Sequence, residues 1–122
     1  MLHCAHVAID LFHTDTTAYA DIVLPAASFL EFDDLVLPYF DLTLSAQVKA
    51  IDPPGEALPN SEIFRRLAAA MGFNEPELFE SDDALIERLI AQTPYPGSFA
   101  DLARAGTVSL FPEPRVQFAD FT

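Results

Sequence analysis

HVAIDLFHTDTTAYADIVLPAASFLEFDD, residues His6 to Asp34, decides how the chain is read. Val7, Ile9 and Leu11 alternate with Ala8 and Asp10, and Ile22, Val23 and Leu24 form a short apolar run stopped by Pro25. Two short, largely buried strands fit that pattern. Between them, Thr14, Asp15, Thr16 and Thr17 place hydroxyls and a carboxylate where the chain leaves the first strand, and Ala18 to Ala20 suit a single helical turn. Ligands of open α/β sheets sit beyond the carboxyl ends of the strands, which places Asp10 and the threonines for ligand contact if the fold is of that type. The same residue types also serve as helix caps and Asx turns, and spacing alone names no function.

Working outward, Met1 to Ala5 lead into the first strand. His3 and His6 do not make a metal pair, because positions i and i+3 of a strand face opposite ways. His13 stands beside the threonine turn, and none of the three histidines has an evident acid or nucleophile partner in the sequence. Glu31, Asp33 and Asp34 read as a solvated acidic loop, since their spacing lacks the ligand ladder and the glycine of a calcium loop. Leu35 to Leu37 is a second apolar run ended by Pro38, and Tyr39 to Ala50 alternates loosely as an extended arm. Asp52 to Pro59, with Pro53, Pro54 and Gly55, is a rigid connector. Asn60 or Ser61 then caps a helix with Ile63, Phe64, Leu67, Ala68 and Met71 on its apolar stripe and Gly72 at its end. A second helix follows Ser81 and carries Leu85, Ile86, Leu89 and Ile90. A third, short helix opens with Ser98 and Asp101 in a capping box and closes at Gly106. Thr107 to Thr122 reads as one extended piece and a tail bearing Val116, Phe118 and Phe121 without a later element to cover them.

At 122 residues, with 51% apolar and 11% aromatic side chains, the chain is about one domain and carries more apolar surface than so few elements hide. Some of that surface belongs against another piece of protein. Nineteen acidic residues against six basic ones give a formal charge of −13, and no lysine or arginine precedes Lys49. Nucleic acid and anionic membranes are poor partners for such a chain. A phosphate site built from side-chain cations is excluded from the first 48 positions for the same reason. Cys4 is the one cysteine, so there is neither an internal disulfide nor a cysteine framework for zinc or an iron–sulfur cluster. It reads as a small buried hydrophobe. No apolar run reaches the length of a membrane span, so membrane insertion is not expected. No signal peptide is visible either, which makes a cytoplasmic address the default while leaving that of a longer parent unread.

Taken together, Asp10, Phe12, Thr14-Asp15-Thr16, Ala20 to Pro25, Glu31, then Pro54-Gly55-Glu56-Ala57 and a helix ending in Met71-Gly72 resemble the molybdopterin oxidoreductases. That family comprises large catalytic subunits using a bis(molybdopterin guanine dinucleotide) cofactor, among them formate dehydrogenases, nitrate reductases and dimethyl sulfoxide reductase. TDTTAYADIVLPA followed at this distance by PPGEA is the specific part, and the resemblance runs the length of the chain. It implies an internal piece of a much larger subunit. Residues 1–74 would be the latter half of a Rossmann-like cofactor-binding domain, and residues 75–122 a helical extension and linker toward a C-terminal cofactor domain. The expected fold class is α/β: part of a parallel-sheet domain with about three helices and an irregular C-terminal extension.

The resemblance also implies site residues. Members place a carboxylate at the position of Asp10, where it accepts hydrogen bonds from guanine N1 and N2, with Ile9 beside it offering backbone. Thr14 lies in the same turn, where Thr17 replaces a commoner alanine. The position of Phe32 is lysine in some members, so that charge contact gives way here to stacking or backbone contact. Asn60 caps its helix and touches the cofactor. The implied cofactor is molybdopterin guanine dinucleotide, with molybdenum or tungsten held elsewhere. An iron–sulfur cluster belongs to the parent and not to this segment. The implied partner is the rest of the parent subunit, with self-association of the chain on its own. No catalysis is expected of this chain alone, and it supplies no catalytic or metal-ligating residue. The alternative is a stand-alone acidic α/β interaction module; a free-nucleotide sensor is weaker, because no glycine-rich phosphate loop accompanies the turn.

Overall fold

The computed structural model describes residues 5–39, 41–111 and 113. Readings that fall on His3, Cys4, Phe40 and the tail residues Val116, Phe118 and Phe121 lie outside them. The chain divides into two compact units, Met1–Asp33 with Val48–Asp82 and Asp34–Gln47 with Asp83–Thr122.

In the first unit, strand β1 (Val7–Asp10) pairs in parallel with strand β2 (Ile22–Pro25), with Val7 opposite Ile22 and Asp10 opposite Pro25. Their connection, residues 11–21, contains one 3-10 turn, Thr17–Tyr19. His6 O accepts from Ile22 N at 3.2 Å and Asp10 O from Ala26 N at 3.1 Å. Backbone groups alternate sides along a strand, so Val7 and Ile9 direct their N–H and C=O groups to the edge of β1 away from β2. On the far side of β2, Ala26 bridges Leu58 in parallel, Leu58 N donating to Pro25 O at 3.2 Å and Ala27 N to Leu58 O at 2.8 Å.

Helix α1 (Asn60–Met71) begins two residues after that bridge. Its N-cap is Pro59, with no side-chain cap bond, so neither Asn60 nor Ser61 caps it as expected. Proline costs nothing there, because the first turn's N–H groups have no intrahelical acceptor anyway. Gly72 ends the helix at φ 78°, and the bonds Gly72 N to Ala69 O and Phe73 N to Ala68 O complete a left-handed stop. Ile63 and Ala68 are buried, whereas Phe64 and Met71, read as part of the same stripe, are exposed. Arg65 ties the helix to the chain beyond it: Nη1 donates to Glu62 at 2.7 Å, Nε to the Glu80 carbonyl at 2.8 Å, and Nη2 to Asp82.

The second unit holds a three-stranded antiparallel sheet that sequence reading did not anticipate. Strand β4 (Thr43–Gln47) lies between β3 (Asp34–Val36) and β5 (Thr107–Ser109). Ser45 pairs with both Val36 and Thr107, and its hydroxyl lies 2.8 Å from that of Thr107. Helix α2 (Asp82–Ile90) buries Ile86 and Ile90. Helix α3 (Phe99–Ala105) packs on β4 and β5, and Leu44 and Leu102 are both fully buried. Its expected capping box is present, Ser98 Oγ accepting from Asp101 N at 3.3 Å and Asp101 Oδ2 from Ser98 N at 3.0 Å. The α/β class with three helices therefore stands, its parallel component being one strand pair and one bridge.

The Arg66 guanidinium, then that of Arg65, holds the Glu62 carboxyl below its ordinary value. A carboxyl depressed in the folded state stabilises the fold above its unfolded value and loses that contribution as pH falls through the folded one. Thermal melts should therefore show the unaltered chain above Glu62→Gln at neutral pH, with the gap closing below about pH 4. A gap that stays constant or widens on acidification would contradict this.

Candidate functional site

The carboxyl ends of β1 and β2 and the start of α1 lie on one edge of the first unit, fixed there by the Asp10–Pro25 register and the Leu58 bridge. Asp10 is half-buried. Its Oδ1 accepts from Leu11 N at 2.7 Å and, at the limit of a bond, from Phe12 N at 3.5 Å. Among the described residues its Oδ2 takes no hydrogen bond. A carboxylate offers about four lone-pair positions, so capping the turn leaves room for two further donors.

Beyond Asp10 the turn is held by two threonines. Thr17 is buried, and its Oγ1 both accepts from Thr14 N and donates to Thr14 O, each at 2.8 Å. Thr14 Oγ1 accepts from Thr17 N at 3.4 Å. The Thr14 hydroxyl, expected to face a ligand, is thus partly engaged within the turn. Ile9 is half-buried, with its backbone groups on the outer edge of β1. Asn60 is exposed, and its amide has no partner among the described residues.

The acidic loop departs from its reading as a solvated run. Glu31 is buried, its Oε2 accepting from Ser28 N at 2.9 Å while Glu31 N donates to Ser28 O at 3.0 Å. Ser28-x-x-Glu31 has the spacing of a capping box, a signal present in the sequence and passed over. Asp33 Oδ1 accepts from Lys49 N at 2.6 Å, and Leu30 O accepts from Ala50 N and Ile51 N. Asp34 belongs to β3 and caps its own start through Leu35 N at 2.8 Å. The loop that carries half-buried Phe32 is therefore pinned to residues 49–51 by backbone bonds. Lys49, the first cation of the sequence, pairs its ammonium with Asp52 at 2.6 Å. His6 also has an acid partner after all: Asp21 Oδ2 lies 3.9 Å from its Nδ1 and accepts its backbone N–H at 2.8 Å.

A cleft of about 290 Å³ is lined by Leu24, Pro25, Leu58, Ile63 and Leu67 with Glu56 and Arg66. It takes in none of Asp10, Thr14, Phe32 or Asn60. Its one cation, Arg66, is bonded through Nε to Glu62 at 2.8 Å. Among the described residues, no group of three or more His, Cys, Asp or Glu gathers to hold a metal ion. No helix there is long and apolar enough to cross a membrane.

The family model described as molybdopterin oxidoreductase matches residues 4–70, a span containing Ile9, Asp10, Thr14, Phe32 and Asn60. The Bacillus subtilis protein named "Probable oxidoreductase YoaE" is 46% identical over 84 residues, 69% of this chain and 12% of its own length. Subunit alpha of F420-dependent formate dehydrogenase 2 of Methanococcus maripaludis is 38% identical over 88 residues, 72% of this chain and 13% of its own. The assimilatory nitrate reductase catalytic subunit of Bacillus subtilis is 39% identical over 66 residues, 54% of this chain and 9% of its own. The chain spans between 9% and 13% of the length of these three relatives. An unrelated interaction module is not favoured by these matches.

Removing the buried Glu31 carboxylate in Glu31→Ala leaves the Ser28 N–H without its acceptor. That change should cost about 1–3 kcal/mol in urea unfolding and speed exchange of the Ser28 amide. Unchanged stability and exchange would show that the loop is held without it.

Proposed function

We propose, from the premise that the chain belongs to the molybdopterin oxidoreductase family, that it helps bind the guanosine end of a molybdopterin guanine dinucleotide in a larger catalytic subunit. The observation that carries this reading is the Asp10 carboxylate at the carboxyl end of β1. One of its oxygens is oriented by Leu11 N–H, and the other takes no bond among the described residues. Guanine offers adjacent N1–H and N2–H donors along one edge, and the Asp10 carboxylate, whose Oδ2 takes no hydrogen bond among the described residues, can accept from them. Adenine offers an acceptor where guanine has N1–H, so the same carboxylate discriminates between the purines.

The donor set fits a nucleoside better than a diphosphate. Lysine and arginine are missing before Lys49, and Lys49 and Arg66 are engaged by Asp52 and Glu62. Charge compensation for the phosphates is therefore assigned to segments outside this chain. Asn60, exposed at the start of α1, has an amide without a partner among the described residues, and Phe32 offers a ring or its backbone on the loop after β2. When bound, the pterin supplies the metal site at which the parent moves an electron pair; the role of this chain is to hold and orient the far end.

The rest of the subunit is the proposed partner. Parallel strands are ordinarily covered on both faces, yet Val7 and Ile22 are 50% and 51% exposed, and among the described residues no strand pairs with the outer edge of β1 at Val7 and Ile9. Residues 1–74 read on this view as the latter half of a Rossmann-like cofactor-binding domain, and residues 75–122 as its extension. On its own the chain would self-associate through the same surface.

Calorimetric titration with guanosine monophosphate tests the reading. The unaltered chain should bind it at least about tenfold tighter than adenosine monophosphate, and Asp10→Asn should abolish that preference. Equal affinity for the two purines in the unaltered chain would overturn it.

A further inference from the structure

Directly after β1 the chain bends at residues 11 and 12, and the bend carries the most exposed phenylalanine among the described residues. Phe12 is 76% exposed, and its ring makes no contact with another ring there. Asp10 closes the bend, its Oδ1 accepting from Leu11 N at 2.7 Å and lying 3.5 Å from Phe12 N. The Phe12 Cα therefore sits within about 5 Å of that oxygen. A base N–H donating to a carboxylate sits about 2.7–2.9 Å from its acceptor, and stacked aromatic rings adopt centroid separations of about 4.5–7 Å. A purine on Asp10 and a ring on Phe12 thus fall within stacking reach.

We infer that the Phe12 ring is the stacking platform for the purine base, supplying affinity while Asp10 supplies the choice between bases. This rests on the reading of Asp10 as the guanine acceptor. Lysine and arginine are missing before Lys49, so a nucleotide at this edge gains little through its phosphate and is held by its base. Hydrogen bonds from the base to one carboxylate replace bonds to water, and their net gain is small. Stacking on an exposed ring removes apolar surface of both partners from water and adds the attraction of two π systems. Every base has a π face, so this contribution is nearly the same for guanine and adenine. Phe12 faces Asp10 with its backbone N–H, which leaves the ring to act apart from the carboxylate's own setting. Adjacent parts of one bend then engage the edge of the base and its face.

Phe12→Ala removes the ring and keeps the N–H, and at 76% exposure the side chain has little burial to lose. In calorimetric titrations its affinities for guanosine and adenosine monophosphate should each fall about tenfold, with their ratio within about twofold of the unaltered chain's. Phe12→Tyr should bind both nucleotides within about twofold of the unaltered chain. The H8 resonance of guanosine monophosphate should move upfield on adding the unaltered chain and not on adding Phe12→Leu, which keeps apolar bulk without a ring. Unchanged affinities in Phe12→Ala would overturn the inference and leave the Asp10 reading intact. A guanosine preference lost in Phe12→Ala would overturn it too, because residue 12 would then act through the carboxylate. An unaltered chain with no guanosine preference would overturn the Asp10 reading and this inference together.

Discussion

The register that sets Asp10 opposite Pro25 is the constraint on which the rest of the first unit depends. In a parallel ladder each strand spends alternate residues on its neighbour. His6 and Asp10 face β2, so Val7 and Ile9 must face the other way. A slip of one residue would exchange those roles and turn every side chain to the opposite face. The same register puts Pro25 O where Leu58 N can reach it, and α1 then starts two residues later. Backbone pairing thus brings Asp10 and the start of α1 to one edge, although they are far apart in sequence.

Charge decides what that edge can accept. The unit before Lys49 carries carboxylates and no cations, and most of these carboxylates are committed to backbone N–H groups. Asp21 serves His6, Glu31 serves Ser28 and Asp33 serves Lys49. Glu31 thus fixes a turn, while Asp21 and Asp33 tie together segments distant in sequence. Asp10 is a clamp as well, and what distinguishes it is its place at the carboxyl end of β1, opposite Pro25.

Much of this was legible in the sequence, for reasons that can be named. The two parallel strands followed from their apolar pattern and Pro25, and all three helices from periodicity, Gly72 and the Ser98–Asp101 box. The antiparallel sheet was not, because Ser45 and Thr107 meet across 62 positions and no local pattern encodes such a partner. Side-chain preference points to Asn60 or Ser61 as the cap of α1, whereas Pro59 takes the position. The buried state of Glu31 was announced by Ser28-x-x-Glu31 but obscured by the neighbouring acids. The reciprocal bonds of Thr14 and Thr17 are three residues apart and were hidden in a run of hydroxyls whose members look alike on paper.

Recognition of guanosine by the carboxyl edge is tested most directly by following backbone amide resonances while guanosine monophosphate is added. The amides of Leu11 and Phe12, which share the Asp10 carboxylate, should shift first and saturate together. Shifts that leave those two amides unmoved and gather instead around Leu58, Ile63 and Leu67 would place any nucleotide in the apolar cleft and contradict the assignment of Asp10.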